Sequence, residues 1–438
     1  MSDEARYVAA ERSQLSWELV DLEALLPSDH RARLVWSFTQ GLDLGVFYDA
    51  IRSREGHAGR PPVDPRILLA LWLYATMEGV GSARELARLV DRDLGYRWLA
   101  GGVSVNYHGL SDFRVGWSEE LDRLLVESVT ALVTAGLVSL DEIAVDGTKV
   151  RSPASSRSFT RGGRLERVER EARERVERLK AELESDPAAS TRRRQAAQER
   201  AAREAQAKVD KARKALDKLR EEKKKREKTH PKQESKKSAP SVSLSDTEAR
   251  RMRFADGAVR AGYNIQTAAI PDVGLVVTIL ATDARNDKGL AAPMIERIVE
   301  RYDRAPKQVL LDAGYACQGD IEHLANHPKG AMITYMPPPT EKPDAEMTPA
   351  ALSERRYKRA RETEAVKAWR TRMQSQEAKD IFGRRKLIER IHAHYKNRGF
   401  DRLTVRGMAK AQAIALWQAL ANNLMVAHRL RMQAATAA

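Results

Sequence analysis

One cysteine in 438 residues, Cys317, leaves no internal disulfide and suits a reducing compartment. The same scarcity removes the Cys-rich ligand sets of structural zinc, and the nine histidines are dispersed along the chain. Aromatic residues are only 6% of the sequence, too few for a channel that grips single strands by stacking. The longest apolar run, Ile67 to Met77, is about half of what a bilayer span needs. The opening residues, MSDEARYVAAERSQ, are mixed in charge and lack the apolar centre of a secretory signal. Acidic residues are outnumbered, 61 against 76 Lys and Arg. The net charge of +15 and pI near 9.8 favour a polyanionic partner, nucleic acid before an acidic membrane surface. These absences predict a soluble, cytoplasmic, basic protein with room for two or three domains.

Up to residue 139 the pattern is helical. VDPRILLALWLYATMEGV carries Pro65 near a helix start and Gly79 near its end. In GSARELARLVDRDLGYRWLAGG, Ser82 and Glu85 have capping-box spacing. Ser118 opens another helix, with acidic residues in its first turn and Gly136 at its end. Two short helices in succession, the second basic, suit either a helix-turn-helix or a plain helical bundle. No major-groove reading residues stand out in favour of the former.

The period changes after Ser139. LDEIAVDGTKV is β-branched and alternating, then broken at Asp146-Gly147, which predicts that the strand ends there. GYNIQTAAI and GLVVTILATD read as two strands joined by the turn Pro271-Asp272-Val273-Gly274. Then come a helix (KGLAAPMIERIVERY), a buried strand (KQVLLDAGY), a helix (GDIEHLANH), a short strand (AMITYM) and, past a Pro-rich break, basic helices. This order predicts an α/β domain with a mixed sheet flanked by helices.

An insertion interrupts that domain at 161–247. Leu165, Val168, Ala172, Val176, Leu179 and Leu183 recur by threes and fours, SDPAAST breaks the pattern, and Ala201 to Leu219 repeats it. Two such stripes predict an antiparallel helical hairpin of coiled-coil type, with a basic, disordered exit, EEKKKREKTHPKQESKKSAPS. Its charged faces suit a solvated coiled coil or an arm that grips DNA.

Three carboxylates stand out. Asp146 ends one apolar strand, Asp312 ends another, and Glu389 lies on the last amphipathic helix, within RRKLIERIHAHYKNRGF. A half-buried carboxylate is costly unless paired or metal-bound. Gly147 and Gly314 follow the two aspartates within two residues and permit close approach. On a helical projection Leu387, Ile391 and Tyr395 face the core, while Phe382, Arg385, Glu389, His392 and Lys396 share the other side. Together the three acids suit two Mg²⁺ ions about 4 Å apart, with Mn²⁺ as a substitute. Arg385 and Lys396 would hold phosphates on either side. Arg385 and Glu389 also have the spacing of an ordinary i,i+4 ion pair.

VDGTKVRSPAS, SLSDTEARRMR, GYNIQTA, LLDAGY and RRKLIERIHAHYKNRGF resemble bacterial insertion-sequence transposases of the DDE type, in the subgroup with a Tyr-Arg-Glu-Lys signature. The resemblance implies an RNase H-like catalytic domain and metal-dependent cleavage and joining of DNA at terminal inverted repeats. It implies a catalytic and metal-binding triad of Asp146, Asp312 and Glu389, with Arg385 and Lys396 on DNA. Phe382 stands where the signature has tyrosine, which removes one phosphate contact. Double-stranded DNA, both repeat and target, is the implied partner of a homo-oligomer in the nucleoid, with no membrane role. The domain plan is then 1–139, a helical DNA-end-binding region; 140–160, the first catalytic strand; 161–247, the insertion; and 248–430, the remaining catalytic domain.

Weaker candidates surround these. Lys149 and Arg151 suit either DNA contact or solvation. His392 suits a substrate-facing position or, more ordinarily, the surface; Asp283 and Asp287 read as caps of the following helix, and Tyr263 and Tyr315 as core or ring-edge packing rather than base-stacking groups. Two other functions fit parts of the pattern: an RNase H-like nuclease without strand transfer, and an architectural DNA-binding protein with a silent acidic trio.

Overall fold

The structure, a computed structural model, describes residues 21–53, 61–185, 189–229, 239–341 and 343–437. Helices Arg31–Gln40, Gly45–Asp49, Pro65–Met77, Ala83–Arg92, Leu94–Ala100, Tyr107–Gly116 and Ser118–Thr134 precede the sheet. Pro65–Met77 begins as the sequence implies. The Asp64 carboxylate accepts from the Arg66 amide at 2.8 Å, proline takes the first turn, and Gly79 turns the chain out at φ 76°. From Leu68 to Met77 every residue is buried, because the helix lies between Arg31–Gln40 and the C-terminal helix Met408–Ala437. The next segment is two helices rather than one. Asp93 accepts from the amides of Gly95 and Tyr96 and so starts a second helix where the first stops.

The strands are β1 (Glu142–Arg151), β2 (Phe159–Thr160), β3 (Val242–Ser243), β4 (Arg250–Arg253), β5 (Val259–Ile270), β6 (Leu275–Thr282), β7 (Gln308–Leu311) and β8 (Ile333–Tyr335). The main sheet runs β4–β5–β1–β7–β8, with β6 beside the second half of β5. β1, β7 and β8 are parallel, while β4, β5 and β6 form the antiparallel side. This is the mixed, RNase H-like α/β architecture expected from the element order.

One boundary differs. Asp146-Gly147 does not end β1, which continues to Arg151. Pairing with β7 stops at Val145↔Leu311, but pairing with β5 continues through Asp146↔Thr267 to Arg151↔Gly262. The turn tendency of Asp-Gly is local, and a long antiparallel partner overrides it. Asp146 therefore sits at the fork where β7 leaves β1.

Met408–Ala437 packs on β6, on Ser118–Thr134 and on Pro65–Met77. One apolar core consequently runs from Val35 through Trp72, Ile143 and Ile279 to Trp417. The insertion has its own small core. Helices Gly162–Ser185 and Ala189–Thr229 meet through Leu165, Val209, Ala212 and Leu216, closed by Val242 of β3. That is the expected hairpin, although the second helix extends into the segment read as its disordered exit. Residues 186–188 of the turn and 230–238 of the exit lie outside the described residues. No helix among the described residues is long and apolar enough to cross a membrane.

Candidate active site

The register places two of the three carboxylates. Val145 of β1 pairs with Leu311 of β7, so Asp146 and Asp312 are the next residues along two parallel neighbours about 4.8 Å apart. Asp146 has 15% of its side chain exposed; Asp312 is exposed and opens a short turn closed by the Tyr315 amide on its carbonyl oxygen.

Glu389 is exposed on the helix Lys386–Asn397, which packs on β1 and buries Ile388, Ile391, His392 and Tyr395, so that Ile388 rather than Leu387 faces the core. Phe382 belongs to the preceding helix, Gln376–Gly383, and its ring centroid lies 5.6 Å from the Arg385 guanidinium. Arg384 and Arg385, in the junction, strap the two helices to β1. Arg384 pairs with Glu142 at 2.5 Å. Arg385 Nη1 lies 3.2 Å from Asp146 Oδ2, and its Nη2 donates to Glu389 Oε1 at 2.9 Å. Glu142 and Asp146 are four residues apart on one strand, hence on one face. The i,i+4 pair anticipated from spacing is present, extended by a contact that joins Glu389 to Asp146.

His392 is a further correction. It is buried, not on the surface, because the turn after Glu389 faces the sheet. Its Nε2 is 3.2 Å from Thr267 Oγ1 and its Nδ1 3.6 Å from Asp146 Oδ2. Burial pushes the Asp146 carboxyl up, but His392, Arg385 and the Gly147 amide outweigh it and hold the carboxyl below its ordinary range.

The other basic candidates divide. Lys396 is exposed. Lys149 donates to the Arg253 carbonyl at 2.7 Å, and Arg151 pairs with Asp401 just beyond the Glu389 helix. Both stabilise the strand that carries Asp146.

Neither Asp283 nor Asp287 caps the helix Ala291–Tyr302; its first amide donates instead to Asp320 Oδ2 at 3.2 Å. Asp283 pairs with Arg250 at 2.8 Å. Asp287 accepts from Asn264 Nδ2 at 2.8 Å and from Gln266 Nε2 at 2.7 Å. The Tyr315 hydroxyl, buried as expected, donates to the other end of Gln266. Two amides at alternate positions of an apolar strand, in GYNIQTA, were the available sign of this network. Tyr263 is also core, donating to Asp246.

Among the described residues one group brings its ligand atoms within 4.8 Å of one another, His323, His327 and Glu296; Asp146, Asp312 and Glu389 do not form such a group. The chemistry of the histidine cluster is that of a hydrogen-bonded group. His327 Nδ1 accepts from the Lys329 amide, which leaves the proton on the Nε2 that faces Glu296 at 3.2 Å.

The strand-fork residues suit a hard divalent cation. Their donors are carboxylate oxygens, and Arg385, 9% exposed, holds Nη1 toward Asp146 with no hydrogen-bond partner. Asp146 and Glu389 thus share one buried cation. Acidic residues at the ends of the central strands of an RNase H-like sheet are the setting of nucleic-acid phosphoryl transfer, and comparison with known families gives the class of protein. The chain matches the family described as Transposase domain (DUF772) over residues 20–115, and the Transposase DDE domain family over residues 228–424. It belongs to the DDE transposases of bacterial insertion sequences. The second match contains Asp312 and Glu389, whereas Asp146 precedes it. No curated protein and no solved structure matches the chain. Transposases of this family act on DNA with divalent metal ions.

Proposed function

We propose that Asp146, Asp312 and Glu389 hold two Mg²⁺ ions, replaceable by Mn²⁺, for cleavage at the element's terminal inverted repeats and strand transfer into target DNA. The observation that carries this reading is the fork of β1: Asp146 and Asp312 follow a shared register pair, and Arg385 ties the Glu389 helix to the same point. When bound, the ions activate the attacking oxygen and stabilise the leaving one. The chain's own residues orient and neutralise. Arg385 keeps Asp146 and Glu389 close despite their like charge. His392 buttresses Asp146 from the sheet side. Lys396, on the exposed end of the Glu389 helix, contacts a backbone phosphate.

The N-terminal helices bind the element's ends. Arg84, Arg88 and Arg92 lie exposed on Ala83–Arg92, one helix face available to phosphates. Lys149 and Arg151 reach DNA only by exchanging their internal contacts. Pairing of two ends makes the active form a homo-oligomer on DNA, in the nucleoid.

Labelled duplex carrying the element's terminal repeat and flank tests the reading. Wild type is expected to nick at the repeat boundary with Mg²⁺ and not with EDTA, and Glu389→Gln to lose at least about 100-fold, more than an outer-shell change. Scattered cuts indifferent to the boundary would favour a nuclease without strand transfer. Metal-independent binding with no cutting by wild type would favour an architectural role.

A further inference from the structure

Two strands follow one another along the outer side of β5. β4 pairs with residues 259–262 and β6 with 264–270, so the end of β6 meets the start of β4. Arg250 closes that junction: it is buried, pairs with Asp283 at 2.8 Å and donates to the Thr247 carbonyl at 3.0 Å. The root of the insertion arrives at the same place, and a groove of about 600 Å³ opens between them. Its walls are the second arm helix near 219–227, residues 239–241, the sheet edge at Arg251 and Val259, and the loop 283–288.

The lining is basic beyond what the fold uses. Arg250 is answered by Asp283 and Lys223 by Glu227. That leaves Arg161, Arg251, Arg285 and Lys288, all exposed, against one further lining carboxylate, Glu222. Arg161, Arg251 and Lys288 make no ion pair among the described residues. Arg251 lies over the Phe159 ring at 5.3 Å, which positions its guanidinium without neutralising it. Further out, by contrast, arm cations pair with acids of the arm itself, as Arg173 does with Glu169 and Arg213 with Glu166 and Asp217. A concave wall of one sign concentrates counter-charge, and the guanidinium fork matches phosphate. The cations come from the arm, the sheet edge and the loop after β6, an arrangement that suits an extended anion.

We propose that this groove binds the phosphate backbone of duplex DNA, at a place separate from the candidate catalytic acids. Arg251 pairs with Ala261 of β5, six residues before Thr267, the partner of Asp146, so the groove lies about 20 Å along the sheet from those acids. At about 3.4 Å per base pair that is roughly six base pairs of duplex. The groove therefore holds DNA away from the reacting phosphate, between the arm and the sheet. This rests on the reading of DNA as the substrate.

Fluorescence anisotropy of a labelled duplex carrying the terminal repeat and flank, titrated with the full chain in EDTA over a range of salt, tests it. The groove variant combines Arg161→Gln, Arg251→Gln and Lys288→Gln. A control combining Arg304→Gln, Lys307→Gln and Lys329→Gln removes the same charge at the far end of β7 from Asp312. The groove variant is expected to bind about 10-fold or more weakly at 0.1 M salt, with a log K–log salt slope shallower by about two to three. The control keeps the wild-type slope. Wild-type binding by the groove variant, or equal loss in both variants, would overturn the proposal. Failure of wild type itself to bind would remove the DNA reading beneath it. A second measurement needs no variant: acetylation of lysines by an N-hydroxysuccinimide ester, read by mass spectrometry. DNA is expected to protect Lys288 and leave Lys329 reactive. Equal reactivity of Lys288 with and without DNA would overturn the assignment, and protection that grows with protein concentration alone would give the groove to a second copy of the chain instead.

Discussion

Arg385 Nη1 lies 3.2 Å from Asp146 Oδ2, and this contact fastens the helix that carries Glu389 to the first strand of the sheet. The guanidinium occupies the position between carboxylates where the chemistry calls for positive charge. In the metal-free protein it is the internal counter-ion, and a bound divalent ion would share that duty.

Replacing Arg385 by Gln is therefore expected to destabilise the metal-free protein by about 2 kcal/mol, since a buried charge-assisted contact is lost and Asp146 stays buried. Mg²⁺ should raise the melting temperature of the variant more than that of wild type. An equal Mg²⁺ shift in both proteins would show that Arg385 and the ion do not substitute for one another.

Gly147→Ala adds one methyl group where two side chains already stand. The expected cost is about 1–3 kcal/mol from overpacking, seen as a lower denaturation midpoint, together with loss of DNA cleavage. Unchanged stability would mean that Asp287 and Gln266 withdraw freely, contrary to their shared hydrogen bonds.

Acid should weaken the same region. The Asp146 carboxyl titrates below its ordinary value, so its contacts contribute stability fully above the ordinary pKa of about 3.9, and that contribution is lost as the pH falls through the lower folded value. Without divalent ions, the urea midpoint of wild type should fall more steeply below about pH 4 than that of Asp146→Asn. Parallel declines would place the acid sensitivity elsewhere.

The insertion should be separable from the fold. β2 and β3 pair, which brings the two ends of the hairpin side by side, and its apolar contacts form their own cluster. Joining 161 to 239 by a short Gly-Ser turn is expected to leave the thermal midpoint of the remaining protein within a few degrees, for roughly 1 kcal/mol lost. If the arm holds DNA, the dependence of log K on log salt becomes shallower by roughly one per lost phosphate contact. An unchanged slope would make the arm a solvated coiled coil or a protein contact.

Much of the fold was legible because its signals are local. Asp64-Pro65 with Gly79, and Ser82 with Glu85, mark helix ends through caps formed within a few residues. The turn Pro271 to Gly274 joins β5 to β6 as its residues imply, with Gly274 at φ 72°. Asp146-Gly147 misled for the opposite reason, since its local turn tendency was outweighed by pairing with a strand more than a hundred residues later. His392 misled because a helical projection assigns polar residues outward, whereas the buried face here also contacts Asp146 and Thr267.

The sequence by itself determined the order of elements, the hairpin stripes and the basic balance. Those features follow from periodicity, capping and composition, which act over a few residues at a time. Tertiary structure decided what surrounds the acids: the β1 fork that places Asp146 beside Asp312, the burial of Arg385 between two carboxylates, and the approach of Asp287 to Gly147. These depend on register and on side chains from four separated segments, and no local pattern encodes which oxygen will face which glycine.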